Sequence, residues 1–442
     1  MQIEETLRSG AGRNAGLLNP GALVEDRPHR FRVHSSVYTD EALFRLEMDR
    51  IFAKTWLFVG HTSEIPNPRD FKTTSMGARP VIVSRDDDGA IHVLLNRCRH
   101  RGAVLCREER GNVRNFLCPY HNWSYAPDGR LIGITDRSGP GGYSEHFEAP
   151  EGLLRVPRVE AYRGFIFASF NHDVPPLPEF LGHAQTYIDN RIAQAPDGEI
   201  VLRSTPYITR FKGNWKFQAE NIIDNYHFMY VHRAFVDLQK KYGDATGDFG
   251  AHKGNSTADI RRLRNTGAQT WGCRYGHGVS IRADSDFEDN LDGPFADYYR
   301  AVVDKHGLER AAQIMGKGVS QIFPSLGLIF NQIRVWRPIA PDLTEVAIYP
   351  YYLKGAPESF NEGMLRSHER FYSPSGYGAT DDVEIFTLCQ QGLAGGLHDW
   401  IILERGVDSE TPDERGNYRG SSSDETLIRA FWREWRRLMA AA

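Results

Sequence analysis

The spacing of apolar residues changes character along the chain. Between Thr39 and about Lys54, apolar positions that include Leu43, Leu46 and Phe52 predict a helix. From Asp70 onward the period becomes strand-like. Residues 80–85 and 90–95 read as two strands joined by Asp86-Asp-Asp-Gly89, a strong hairpin signal. A second hairpin puts the turn Pro127-Asp-Gly129 between 123–125 and 131–134. Farther on, strands are expected at 164–170, 320–330 and 344–353, with helices at about 215–229 and 357–371. The chain closes in an amphipathic helix, with Ile428, Phe431, Trp432, Trp435 and Met439 at i, i+3, i+4, i+7 and i+11. The first 37 residues are polar and irregular and read as a surface arm. The sum is an α+β protein: a small all-β module, then a region whose strands lack βαβ alternation, which favours an antiparallel sheet covered by helices.

At 442 residues the chain is long enough for two or three domains. Its 40% hydrophobic and 25% charged residues exclude disorder and collagen-like architecture. A net charge of −4 leaves no basic footprint for nucleic acid or anionic lipid. No stretch approaches a membrane span, and the start, MQIEETLRSG, lacks a signal-peptide pattern, so a cytoplasmic protein is expected. Five cysteines in so long a chain do not make a disulfide scaffold; thiols or metal ligands are the better reading.

Four of the candidate ligands fall in two short segments of the β module, Cys98-Arg-His100 and Cys118-Pro-Tyr-His121. Thiolate and imidazole donors suit either tetrahedral zinc or an iron–sulfur cluster. Zinc fingers commonly group like ligands, whereas here each loop offers one of each kind. That order lets one iron of a [2Fe–2S] cluster take both cysteines and the other both histidines, which raises the reduction potential. The segment resembles a Rieske domain over most of 40–160. Asn122 stands where many such domains have Gly, and Asn tolerates positive φ better than most residues. Cys106 fits no part of the pattern and reads as a core residue.

A second constellation follows, in Gly213-Asn-Trp-Lys-Phe-Gln-Ala-Glu-Asn-Ile-Ile-Asp-Asn-Tyr-His227 and on to His232. Asp224 and His227 are three apart and would share a helix face. His227 and His232 are five apart and would not, so a shared metal requires the helix to end or bulge between them. The spacing excludes a His-Glu-x-x-His zinc site. Two histidines, a carboxylate and open positions instead describe the facial triad of non-haem Fe(II) oxygenases.

With this second motif the chain resembles the large (α) subunit of Rieske-type aromatic-ring-hydroxylating oxygenases over nearly its whole length. The resemblance implies an arm (1–39) packing on the catalytic domain, a Rieske domain (40–160) and a catalytic domain of helix-grip type (161–442). It implies a [2Fe–2S] cluster on Cys98, His100, Cys118 and His121, and a mononuclear Fe(II) on His227, His232 and Asp382. Asp382 aligns with the family's distant ligand in Gly376-Tyr-Gly-Ala-Thr-Asp-Asp-Val-Glu384, with Asp381 as the alternative. Asp224 matches the family's bridging Asp, which would join His227 to His121 of the adjacent protomer. The expected assembly is an α3β3 hexamer with a small β subunit, or an α3 trimer. Because the sequence shows no flavin or nicotinamide fingerprint, a separate reductase, with or without a ferredoxin, is expected to bring electrons from NAD(P)H.

The segments around His227 and Asp382 look most like the benzoate, salicylate and terephthalate branch, whose aromatic carboxylates need a cation in an apolar pocket. Arg334 shares a strand face with Trp336, and it and Asn221 are the candidate substrate-binding residues. The leading expectation is a terminal oxygenase that hydroxylates an aromatic carboxylate. The alternative is a Rieske monooxygenase or demethylase acting on a non-aromatic or methylated substrate.

Overall fold

The computed structural model describes residues 19–441 apart from 204, 243–266, 285–286 and 397–399. Two compact units emerge: Phe52–Leu177, and Met1–Ile51 together with Pro178–Ala442. These boundaries differ from the expected 40 and 160, for identifiable reasons. The helix Glu41–Arg50 belongs to the larger unit because its fully buried Glu47 accepts hydrogen bonds from Trp215, Lys216 and Trp435 at 2.6–2.8 Å. The strand Phe165–Ser169 belongs to the smaller unit because it pairs with Leu57–His61. Of the expected arm, 1–18 lie outside the described residues. The remainder forms Val24–Arg27 and Arg30–His34, which join Trp400–Ile402 in a three-stranded sheet.

The smaller unit is all-β among its strands. Asp70–Met76, Arg79–Arg85, Ile91–Leu95 and Arg110–Asn112 form one antiparallel sheet, and Phe116–Leu117, Ser124–Tyr125 and Leu131–Gly133 form another. Both expected hairpin turns are present, with Gly89 and Gly129 at φ +87° and +90°. Phe71, Ile82, Leu94, Trp123 and Tyr125 pack into one core, with Cys106 among them.

The larger unit is built on a nine-stranded antiparallel sheet. The expected single strands 320–330 and 344–353 each divide, into Lys317–Ile322 with Leu326–Ile329 and Leu343–Pro350 with Tyr352–Leu353. Directly opposed residues of antiparallel strands point to the same side, and one such row runs Gly278, Gln321, Gly327, Arg334, Ile348. Small residues in this row admit two helices. A Cβ on Gly278 would lie 2.7 Å from Ile223 and 3.3 Å from Leu427, and one on Gly327 would lie 2.9 Å from Ile222. The row therefore faces the helices Trp215–Ile223 and Thr426–Ala440. The Tyr38 hydroxyl and Trp432 Nε1 both donate to Glu220, at 2.6 and 2.7 Å, fixing the first of these helices.

Candidate metal centres and substrate pocket

The two Cys-His loops have the same backbone design. In the first, Cys98 N–H donates to Ala103 O at 2.8 Å and Gly102 N–H donates to Cys98 O at 3.0 Å. In the second, Cys118 N–H donates to Trp123 O at 2.8 Å and Asn122 N–H donates to Cys118 O at 2.9 Å. The residue four past each cysteine turns the chain at positive φ: Gly102 at +76° and Asn122 at +55°. Asn122 thus does the work of the glycine it replaces.

These loops sort the donors by kind. The thiols of Cys98 and Cys118 are buried side by side: burial, and then the neighbouring Cys98 thiol, push the Cys118 thiol up. The Tyr125 hydroxyl lies 3.3 Å from Cys98 Sγ. The imidazoles of His100 and His121 turn their Nδ1 atoms to within 3.1 Å of one another. Two unprotonated Nδ1 atoms at that distance would repel, so a shared cation between them suits the pair. Trp123 stacks on His100 at 4.9 Å, and Tyr120 covers His121 at 3.8 Å. Cysteine beside cysteine and histidine beside histidine is the donor arrangement that a Rieske [2Fe–2S] cluster requires.

The second site corrects the expected helix 215–229. The helix stops at Ile223, and Asp224, at φ −88° and ψ 96°, is its C-cap. Oδ1 of Asp224 accepts from the N–H groups of Tyr226 (3.0 Å) and His227 (3.2 Å), which opens a new short helix, Phe228–Val231. His232 terminates that helix at φ −96° and ψ 29°, the ending that a shared metal requires. Asp224 and His227 therefore do not share a helix face. A tight turn brings them together instead, with Asp224 Oδ2 3.9 Å from His227 Nδ1.

His227, His232 and Asp382 offer ligand atoms that all lie within 4.8 Å of one another. Asp382 Oδ1 is 3.1 Å from His232 Nε2 and 3.5 Å from His227 Nε2. Asn221 joins them, its Nδ2 3.1 Å from Asp382 Oδ1 and 3.2 Å from His227 Nε2. Burial alone would raise the Asp382 carboxyl; His232, His227 and Arg334 hold it below the usual carboxylate value. The neighbouring acid lies elsewhere: Asp381, more than a third exposed, sits 3.5 Å from Nδ1 of His232. Convergent imidazoles and a carboxylate around a common point fit a mononuclear iron.

Distant residues hold this geometry. The Phe371 ring packs edge-on against His232 at 5.0 Å, and a Cβ on Gly378 would lie within 2.1 Å of that ring. Only glycine at 378 lets Phe371 reach His232 while the next residues begin the helix Ala379–Ala394, whose first turn carries Asp382.

Arg334 is 3% exposed, and its Nε and Nη2 atoms have no hydrogen-bond partner. Its guanidinium lies 5.2 Å over the ring of Tyr372. Also buried nearby are Gln332, two residues back on the same strand face, and His368, whose ring is 5.4 Å from that of Tyr372. Sequence reasoning missed His368 and Tyr372. Their signal was the i, i+4 spacing of two polar aromatic side chains at the end of the helix, which runs to Tyr372, one residue past the expected 371.

Comparison with known proteins assigns the family. Residues 55–148 match the Rieske [2Fe–2S] domain, and residues 179–441 match the ring hydroxylating alpha subunit (catalytic domain). The chain is 34% identical to the anthranilate 1,2-dioxygenase large subunit of Acinetobacter baylyi, over 88% of this chain and 83% of that one. It is 35% identical to the toluate 1,2-dioxygenase subunit alpha of Pseudomonas putida, over 89% and 86%. A crystal structure of a naphthalene 1,2-dioxygenase mutant bound to phenanthrene superposes with a TM-score of 0.82 at 26% identity, covering 96% of each chain. The chain belongs to the family of Rieske-type ring-hydroxylating oxygenase alpha subunits. It is an oxidoreductase that uses O₂, a terminal oxygenase with a Rieske [2Fe–2S] cluster and a mononuclear iron, and its electrons come from separate partner proteins. Among the described residues no helix is long and apolar enough to cross a membrane.

Proposed function

We propose that this oxygenase hydroxylates an aromatic carboxylate held by Arg334. The observation that carries the reading is the unpaired Nε–Nη2 edge of a fully buried guanidinium whose charge acts on Asp382. Two parallel N–H donors in a fixed fork match the two oxygens of a carboxylate. Burying such a group without a partner costs free energy that an anionic ligand returns. The names of the two dioxygenases above, for anthranilate and toluate, point to the same class.

In this reading Cys98, His100, Cys118 and His121 hold the cluster, and His227, His232 and Asp382 hold the iron. With both groups bound, the protein has one-electron transfer at the cluster and O₂ activation at the iron. The chain's own residues supply the rest. Arg334 orients the ring by its acid group, and the buried Tyr372 excludes water beside it. Asn221 hydrogen-bonds the Asp382 carboxylate and steadies it. Asp224 uses Oδ1 to build the turn before His227 and directs Oδ2 toward His227 Nδ1, where its charge acts on that ring. The same carboxylate reaches His121 of a neighbouring protomer in an α3 trimer, with or without a β subunit.

The test is turnover of substituted benzoates by the purified chain with a surrogate reductase, followed by product identification. A ring-hydroxylated benzoate is expected, with Arg334→Met losing turnover of every carboxylate. Equal turnover by Arg334→Met, or turnover of neutral aromatics alone, overturns the reading.

A further inference from the structure

Arg334 is not the only buried polar side chain in its neighbourhood that lacks a partner. His368 is 2% exposed and neither of its ring nitrogens has a hydrogen-bond partner. Gln332 is completely buried beside Tyr372, and neither its amide nitrogen nor its carbonyl Oε1 has a hydrogen-bond partner. Both side chains are close to Arg334, one on the same strand face and the other against the Tyr372 ring over which the guanidinium lies. Native proteins seldom leave so many buried polar atoms unmatched, and a binding site is where such atoms wait for a partner.

The kind of atom left over is informative. Burial and the neighbouring charge of Arg334 push His368 down to about 3, so its imidazole is neutral at physiological pH. A neutral imidazole has one N–H donor and one acceptor nitrogen. A carboxylate only accepts, and the Nε–Nη2 edge of Arg334 already offers it two donors. Nothing in a carboxylate satisfies the His368 acceptor nitrogen or Gln332 Oε1. A hydrogen-bond donor elsewhere on the ligand does.

We propose that His368 and Gln332 are specificity-determining residues that select an aromatic carboxylate bearing a ring hydroxyl or amino group. The inference rests on the reading of Arg334 as the carboxylate partner. A methyl group of similar size fits sterically but leaves both acceptors unpaired, so discrimination comes from the unmet polar atoms of the site.

The test is calorimetric binding to the anaerobic holoenzyme, using benzoate and its methyl, hydroxy and amino derivatives at each ring position. At one position the hydroxy or amino compound should bind at least about tenfold more tightly than the methyl compound. His368→Phe should bring that ratio close to one, whereas His368→Gln, which keeps a donor and an acceptor, should retain much of it. Arg334→Met should weaken all the carboxylates by about a hundredfold. No preference over methyl at any position, or an undiminished preference in His368→Phe, overturns the inference while leaving the Arg334 reading intact. Unchanged binding of benzoate by Arg334→Met overturns the Arg334 reading itself.

Discussion

The two metal-binding regions reach their geometry by different routes. The proposed cluster donors lie between Cys98 and His121, in two loops that shape themselves through their own backbone hydrogen bonds, Cys98 with Gly102 and Ala103, Cys118 with Asn122 and Trp123. The proposed mononuclear site draws on His227, His232 and Asp382, and its shape depends on tertiary packing by residues other than these three. Phe371 packs on His232, Gly378 leaves room for Phe371, and Glu220 ties the preceding helix to Tyr38 and Trp432. A locally built site keeps its form when the other unit is perturbed. A site assembled by tertiary packing has more ways to fail.

The largest expected effect separates the two directly. Asp382→Ala removes the carboxylate that faces both histidines, so the mononuclear iron and turnover should be lost while the visible cluster spectrum persists. Metal analysis and absorption of one preparation check both halves. Asp381→Ala is the control, because its carboxylate faces His232 Nδ1 from outside the converging set. Loss of the iron in Asp381→Ala with retention in Asp382→Ala would reverse the assignment of the acid.

A smaller effect concerns communication between the sites. Asp224→Asn keeps the size and an Oδ1 acceptor for the turn before His227, so both metals should remain bound. The charge on Oδ2 is gone, and with it the electrostatic attraction for the imidazole it faces. Turnover should fall by about 10–100-fold, the usual cost of removing an outer partner of a metal-bound histidine. The cluster should reduce normally and then stay reduced when substrate and O₂ are added. Rapid reoxidation with full product would leave Asp224 a turn-forming residue and nothing more.

The same contrast explains what could be read from the sequence. The two Cys-His loops were legible because donor type, order and spacing are local properties, and Asn122 is a residue that tolerates the positive φ its turn requires. The three side chains that converge, His227, His232 and Asp382, were legible as residues, but their geometry was not. Asn221-Ile-Ile-Asp-Asn-Tyr-His227 has neither Pro nor Gly, so its helical period runs on. The helix ends because the Asp224 side chain takes over the N–H groups of Tyr226 and His227, and the Asp-Asn pair was the only local sign of it. The need for glycine at 378 arises from the Phe371 ring, a contact no local pattern reveals. The sheet was legible as antiparallel, but the unit boundaries were not, because they follow long-range pairings such as Phe165–Ser169 with Leu57–His61.

The smallest expected effect probes how local the cluster site is. Asn122 holds φ +55° in the second loop, where Gly102 holds +76° in the first. Its N–H closes the turn onto Cys118 O, so the backbone conformation matters more than the side chain. Asn122→Gly should therefore leave both the cluster and the stability of the smaller unit almost unchanged. Asn122→Ala places a Cβ without a compensating polar group at left-handed φ, which costs about 1 kcal/mol. The expected outcome is a modest loss of thermal stability and faster loss of the cluster's visible colour on warming, with no change in the mononuclear iron content. If Ala and Gly behave alike, the loop relaxes without cost and its conformation is not set by the residue at 122. If Ala also strips the mononuclear iron, the two sites are coupled more tightly than their separate construction implies.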